Sequence, residues 1–226
     1  MVNLFGNFDF QSALTNAALL IIPALLSLTV HEVSHGYIAY RLGDRTAKDM
    51  GRLTLNPVRH IDPIGLVAML IFRFGWAKPV PVNMMNFKRP KMYMAVTALA
   101  GPVSNLTLAA VVFFIFGLVF RPLGGWGAVG GRGVARDIIR HTAEISIFFA
   151  IFNLIPIPPL DGSKVLFSLA SDDAYFKLMR YERYGMIALI VFINTQFFQN
   201  TIGRAAFTLT QWFFNIFALA GYNLLG

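Results

Sequence analysis

Residues 17–36 read AALLIIPALLSLTVHEVSHG, and this stretch decides the fold. Its first part, residues 17–29, has no charged residue, which predicts a membrane-spanning helix. The second part contains His31-Glu32-Val33-Ser34-His35, and H-E-x-x-H on a helix sets two imidazoles on one face, where both can bind one zinc ion. Glu32 is then available to act on water. The stretch therefore predicts a water-activating metal site inside a bilayer, and it points to peptide-bond hydrolysis there.

The composition agrees with a membrane protein. The chain has 226 residues, of which 56% are hydrophobic, and its mean hydropathy is +0.61. It contains no cysteine, which excludes disulfides and Cys-ligated metals. The net charge of +8 comes without a basic helix or an aromatic-basic repeat, so we expect no nucleic-acid partner. We predict a single membrane-embedded domain over residues 1–226.

Apolar segments set the expected architecture, an all-α polytopic membrane protein. The first span covers about residues 12–42, with a kink at Pro23. Later spans are expected at about 91–120 and 137–155, followed by one or two more within 184–225. The prediction is a helical bundle of about five spans, with a range of roughly four to six.

The segment between the first two spans has a different character. Residues 51–56 alternate between apolar and polar like a short strand. Residues 64–72 are apolar but too short to cross, and Arg73 interrupts them. We therefore expect residues 64–72 to be re-entrant or interfacial and not to cross the membrane.

A catalytic zinc usually takes three protein ligands, so the two histidines need a partner. Asp161 is the favoured candidate because it follows the break Pro156-Ile157-Pro158-Pro159 at membrane depth, where a carboxylate is costly. Its alternative role is the N-cap of a helix starting near residue 163. Glu144, His60 and His141 are less favoured, because Glu144 is far from any break and both histidines lie near span edges.

Charge predicts the orientation. If His31, His35 and Asp161 meet at one depth, the first and third spans run in the same direction. Residues 41–91 and 164–183 then share one side and carry 14 of the 19 Lys and Arg residues. The positive-inside rule puts that side in the cytoplasm, with the N-terminus outside and the metal toward the cytoplasmic face. We expect the cytoplasmic membrane of a prokaryote.

Three blocks carry a resemblance to a known family. They are His31-Glu32-Val33-Ser34-His35, then Gly101-Pro102-Val103-Ser104-Asn105, then residues 153–162 with the sequence NLIPIPPLDG. They are similar, in the same order, to the H-E-x-x-H, G-P-x-x-N and N-x-x-P-x-P-x-x-L-D-G elements of the site-2 protease family of intramembrane zinc metalloproteases. The resemblance covers about residues 12–170.

The resemblance implies a zinc metalloendopeptidase that cleaves single-span, membrane-anchored substrates in or near their transmembrane segments, as in regulated intramembrane proteolysis. It implies one Zn²⁺ per chain, held by His31, His35 and Asp161, with Glu32 as the catalytic acid/base. Asn105 and Asn153 match polar positions lining the site and are candidates for oxyanion or substrate binding. Residues 51–82, after the first span, resemble the short re-entrant β element of the family, which would pair with the substrate as an added strand through Leu53, Thr54 and Leu55. The chain resembles a minimal member, without a PDZ or CBS domain.

Two other classes of function remain open from the sequence. An ion or solute transporter also uses broken helices and intramembrane carboxylates, although the chain lacks the paired breaks and internal repeat typical of such folds. A non-catalytic scaffold that binds transmembrane helices is the other alternative, and it would have no need for Glu32.

Overall fold

The structure is a computed structural model that describes residues 10–72, 76–180 and 182–224. These residues form helices and connecting loops and contain no β-strand. In chain order the α-helices are α1 (Phe10–Arg41), α2 (Thr46–Asp49), α3 (Pro63–Phe72), α4 (Pro90–Phe120), α5 (Gly130–Asn153), α6 (Asp161–Ser168), α7 (Asp172–Arg180), α8 (Glu182–Ile193), α9 (Gln196–Phe198), α10 (Arg204–Phe213) and α11 (Leu219–Leu224). The expected all-α class is confirmed.

Within the described part of the chain, two helices are long and apolar enough to cross a membrane. They cover Gln11–Arg41 and Pro90–Phe120, with 31 residues each, and a pair bent by 71°, Tyr184–Ile193 with Gln196–Leu224, would make a third if it forms one span. The third span expected at 137–155 corresponds to α5, whose N-terminal half carries charge. Arg136 pairs with Asp137 at 2.8 Å, and Arg140 pairs with Glu144 at 3.0 Å. The expected number of about five spans is therefore not confirmed.

The main apolar core lies where α4, α5 and the C-terminal helices pack together, and α1 packs against α4 and α5. Phe113 and Phe116 of α4 and Ile147 of α5 are fully buried there. Gly117 permits the closest crossing, because a Cβ at this position would lie 2.0 Å from the carbonyl oxygen of Ala218. The backbones of α4 and the C-terminal helix thus touch.

Side-chain contacts fix the relative directions of the main helices. Ser27 Oγ of α1 lies 2.7 Å from Ser146 Oγ of α5, and His31, one turn further along α1, contacts Asp161 beyond the end of α5. The helices α1 and α5 therefore run in the same direction. Asp44, just after α1, accepts hydrogen bonds from the Asn83 N–H and the Asn86 amide at 2.7 Å each, so the end of α1 lies beside the start of α4.

The segment between α1 and α4 leaves this end of the bundle and returns to it. An isolated antiparallel bridge joins Ile61 to Ala77, and α3 lies between the two. The strand expected at 51–56 is irregular backbone, because the Thr54 N–H donates to the Arg52 carbonyl and the Thr54 carbonyl accepts from His60 Nε2, which leaves this residue no ladder partner. The re-entrant β element is not confirmed, and the break at Arg73 lies outside the described residues.

Candidate metal centre

Three side chains meet at the junction of α1, α4 and α6. His31 Nε2 and His35 Nε2 are 3.0 Å apart, and each lies 3.1 Å from Asp161 Oδ2. All three residues are buried, and they are the only His, Cys, Asp and Glu cluster of metal-binding geometry among the described residues. The structure thus brings together the three residues that the sequence singled out.

The donor set fits a zinc ion. Zinc binds imidazole nitrogen and carboxylate oxygen at roughly 2.0–2.2 Å, so tetrahedral ligand atoms lie roughly 3.3 Å apart, close to the separations in this cluster. Two histidines and one carboxylate also leave a fourth position open, as catalytic zinc sites require.

The outer nitrogen of His35 is held by backbone. Nδ1–H donates to the Thr97 carbonyl of α4 at 2.7 Å, which fixes the ring orientation and leaves the Nε2 lone pair directed at the cluster. Pro102 has no N–H, so the α4 carbonyl left without its helical donor is that of Ala98, the residue after the Thr97 acceptor.

Gly101, beside that proline, makes room for both rings. A Cβ there would lie 2.4 Å from His31 Cε1 and 2.6 Å from His35 Cε1. The imidazoles pack directly on the backbone of α4, and any side chain would displace them.

Asn105 holds the outer nitrogen of His31. It is fully buried, and its Nδ2 lies 3.2 Å from His31 Nδ1, while its Oδ1 has no hydrogen-bond partner among the described residues. When His31 Nε2 binds a metal, Nδ1 carries the proton. Rotation of the Asn105 side-chain amide by about 180° then places Oδ1 where it accepts a hydrogen bond from His31 Nδ1–H, so that the buried oxygen has a partner.

Asp161 is the first residue of α6, and its carboxylate faces the histidines rather than its own helix. No side chain caps α6, so the N-cap alternative finds no support. Lys164 Nζ lies 3.7 Å from Asp161 Oδ1. Gly162 allows the start of α6 to lie against the end of α5, because a Cβ at this position would be 2.2 Å from the Leu154 carbonyl oxygen.

Glu32 lies on the neighbouring face of α1 and is partly buried. Its Oε2 accepts a hydrogen bond from the Val80 N–H at 2.7 Å. Its Oε1 accepts no hydrogen bond from the described residues. Sequence reasoning missed this contact, since nothing in the composition of residues 77–81 relates them to α1.

The remaining candidates are engaged elsewhere. Asn153 donates to the Phe149 carbonyl of its own helix at 3.0 Å. Glu144 pairs with Arg140 and also with His141 Nδ1 at 2.9 Å. His60 is buried and bonds to the Thr54 carbonyl.

A buried two-histidine, one-carboxylate cluster, with a glutamate beside it on a helix long enough to span a bilayer, defines a membrane-embedded metalloenzyme. The sequence profile of Peptidase family M50 matches residues 127–195, which include the third block. The chain belongs to this family, the site-2 proteases, and is an intramembrane zinc metalloprotease.

Several similar proteins are also named as zinc metalloproteases. The chain is 40% identical over 177 residues to "Putative zinc metalloprotease YwhC" of Bacillus subtilis, a match that covers 78% of this chain and 80% of the relative. It is 28% identical over 208 residues to the similarly named Rip2 of Mycolicibacterium smegmatis, covering 90% of this chain and 76% of that protein. No solved structure matches the chain. The transporter and scaffold alternatives are set aside by these matches.

Proposed function

We propose that the protein hydrolyses peptide bonds in or near the transmembrane segments of single-span membrane proteins, with His31, His35 and Asp161 as zinc ligands and Glu32 as the acid/base. The observation that carries this assignment is the cluster itself, in which both Nε2 atoms and one carboxylate oxygen converge within 3.1 Å while each Nδ1 faces a group of α4.

Zinc and Glu32 have different roles in the proposed hydrolysis. Zinc, when bound, supplies the Lewis acid that polarises the scissile carbonyl and makes water acidic enough to attack near neutral pH. Glu32 Oε1 accepts the proton that water loses as its oxygen bonds to the carbonyl carbon. The same oxygen returns this proton to the nitrogen as the C–N bond breaks, so the products are a free carboxylic acid end and a free amine.

The two asparagines have different surroundings. The burial of Asn105 and its contact with His31 support a role in orienting that ligand rather than in binding an oxyanion. Asn153 is partly buried and keeps its amide oxygen free of partners among the described residues, so it remains a proposed contact for substrate.

Residues 53–55 are proposed to pair with an unwound substrate. Thr54 turns its N–H and carbonyl toward Arg52 and His60, whereas the backbone groups of Leu53 and Leu55 make no hydrogen bonds among the described residues. The free backbone groups of Leu53 and Leu55 support the proposal, because an added strand needs unpaired N–H and carbonyl groups as its partners.

Leu55→Pro should therefore impair cleavage of a transmembrane substrate, because it removes an N–H that is free to pair. Thr54→Pro should do the same by disturbing the turn that presents the edge. Bound zinc should stay at the wild-type level in both variants. Leu55→Ala keeps the N–H and is the matched control, and equal cleavage by Leu55→Pro and Leu55→Ala would end the pairing proposal.

The proposed arrangement in the membrane has a re-entrant α3 and several crossings by α1, α4, α5 and the C-terminal helices. The bridge between Ile61 and Ala77 and the contact of Asp44 with Asn83 support an excursion that enters and leaves on one side. That side is the cytoplasm by charge, and the metal lies toward it. Bacterial relatives support a prokaryotic cytoplasmic membrane.

The deciding experiment is cleavage of a panel of single-span substrates by the purified protein in detergent, beside Glu32→Gln. We expect cleavage by the wild type, at least a hundredfold loss in Glu32→Gln, the scale of general acid–base catalysis, and equal bound zinc in both. Wild-type activity that persists in Glu32→Gln would refute the acid/base assignment. Absence of bound zinc in a wild-type protein that cleaves would refute the ligand assignment.

A further inference from the structure

A short segment that follows α3, residues 77–81, lies across the Glu32 face of α1 and is called the strap. Val80 is its centre: the Val80 N–H donates to Glu32 Oε2 at 2.7 Å, and the side chain is only 7% exposed. Pro79 and Pro81 have no N–H, so Val80 supplies the only amide donor among these three residues. That single donor is directed at the proposed acid/base.

The strap is fixed to the protein at two points. Arg52 is buried, and one of its terminal guanidinium nitrogens (NH2) donates to the Lys78 carbonyl at 2.8 Å and to the Pro79 carbonyl at 3.3 Å. At the strap's beginning, the Lys78 N–H donates to the His60 carbonyl at 2.9 Å. The backbone on the N-terminal side of Val80 is therefore held before it reaches Glu32.

The side chain of Val80 is seated on α1 itself. A Cβ on Gly36, one turn beyond Glu32, would lie 2.8 Å from Val80 Cγ1 and 2.6 Å from Leu53 Cδ2. The close packing on Gly36 and the hydrogen bond to Glu32 involve the same helix face, whereas His31 and His35 occupy the face turned to α4. The strap thus contacts the acid/base face and leaves the ligand face to α4 and α6.

We infer that the strap is a permanent positioning element for Glu32, with Arg52 and the Val80 N–H as its positioning groups. One carboxylate oxygen is held by Val80, and Oε1 is left to exchange the proton with water and the leaving amine. A cover that must open for substrate would be loosely attached, but this segment is held by a buried guanidinium and by packing at contact distance. The inference rests on the proposed role of Glu32.

The test removes the Val80 N–H. Replacing Val80 by its α-hydroxy acid analogue converts the amide into an ester, which keeps the side chain, loses the donor and makes the Pro79 carbonyl a weaker acceptor for Arg52. The same replacement at Val82 is the matched control, because the Val82 N–H makes no hydrogen bond among the described residues. Arg52→Lys is a second variant that leaves the backbone intact but loses the guanidinium that spans two carbonyls.

We expect the Val80 ester to lower kcat about tenfold or more, the effect of one charge-assisted hydrogen bond, with KM and zinc affinity unchanged. Arg52→Lys should follow the same pattern to a smaller extent, and the Val82 ester should match the wild type. An unchanged kcat would overturn the inference. A rise in KM alone would make the strap a substrate contact, and a rise in kcat would make it an inhibitory cover.

Failure of this inference is separable from failure of the proposed function. Cleavage by the wild type and its loss in Glu32→Gln establish the function first. If the wild type cleaves and the Val80 ester cleaves equally well, only the positioning role is lost. If cleavage persists in Glu32→Gln, the proposed acid/base falls and the strap's role falls with it.

Discussion

At the scale of single residues, Gly101 is the position on which the two imidazoles depend for space. Gly101→Ala would bring a methyl group within 2.4 Å of His31 and 2.6 Å of His35. We expect zinc affinity to fall about 10–100-fold, as when the support of a ligand is disturbed. Competition with a chelator measures it. Gly203→Ala, in a helical position with open space around it, is the control and should bind zinc like the wild type.

A second prediction at this scale concerns Asn105. Asn105→Leu keeps the volume but removes the group that faces His31 Nδ1, so zinc affinity should fall about 10–100-fold. Asn105→Asp retains an acceptor for Nδ1–H and should bind zinc at least as tightly as the wild type. Thr107→Val on the same helix removes an exposed hydroxyl and should have no effect. Equal affinities for all three variants would show that Asn105 only joins helices.

At the scale of elements, the end of α1 is tied to the start of α4 by Asp44. The carboxylate is fully buried and accepts hydrogen bonds from Thr46, Asn83 and Asn86. Burial raises the pKa of Asp44, but these hydrogen bonds outweigh it and hold the pKa below its usual value. A lowered pKa stabilises the folded state above the ordinary carboxyl pKa of about 4, and this stability is lost as the pH falls through the lowered pKa.

Asp44→Asn should therefore lower the free energy of unfolding by about 1–3 kcal/mol at pH 7, and the difference from the wild type should shrink below about pH 4. Unfolding in detergent at both pH values measures it. Asp49→Asn, which removes an exposed partner of Arg45 at 3.8 Å, should change the stability by less than about 1 kcal/mol. A difference between Asp44→Asn and wild type that stays constant with pH would contradict the assignment.

The elements also show which features of the structure could be predicted from the sequence. The cluster of His31, His35 and Asp161 was predictable because H-E-x-x-H has a fixed helical spacing, and because Asp161 follows a proline break at membrane depth, where a carboxylate is costly. The irregular backbone at 51–56 was not predictable, since the alternation of apolar and polar residues cannot reveal that Thr54 bonds to Arg52 and His60. The contact between Glu32 and Val80 joins residues 48 positions apart, and no local pattern encodes it.

At the scale of the whole molecule, three observations converge on one arrangement. The parallel directions of α1 and α5 bring Asp161 to the histidines. The contacts of Asp44 return the chain to the same end of the bundle after α3. Most of the Lys and Arg residues, 14 of 19, lie in residues 41–91 and 164–183, at that end of the bundle. The metal centre and the strap therefore lie toward the same end of the bundle, and the charge distribution is the basis of our proposal that this end faces the cytoplasm.

The chain's lack of cysteine makes this orientation directly testable, because any introduced thiol is unique. Met50 and Val129 are uncharged and 63% and 84% exposed, so replacing them leaves the charge balance unchanged. In intact cells, a membrane-impermeant maleimide should label Val129→Cys and should label Met50→Cys only after permeabilisation, since Met50 belongs to the positively charged side. Both variants should be labelled after permeabilisation, which controls for reactivity. Labelling of Met50→Cys but not Val129→Cys in intact cells would invert the orientation and place the metal centre toward the outside.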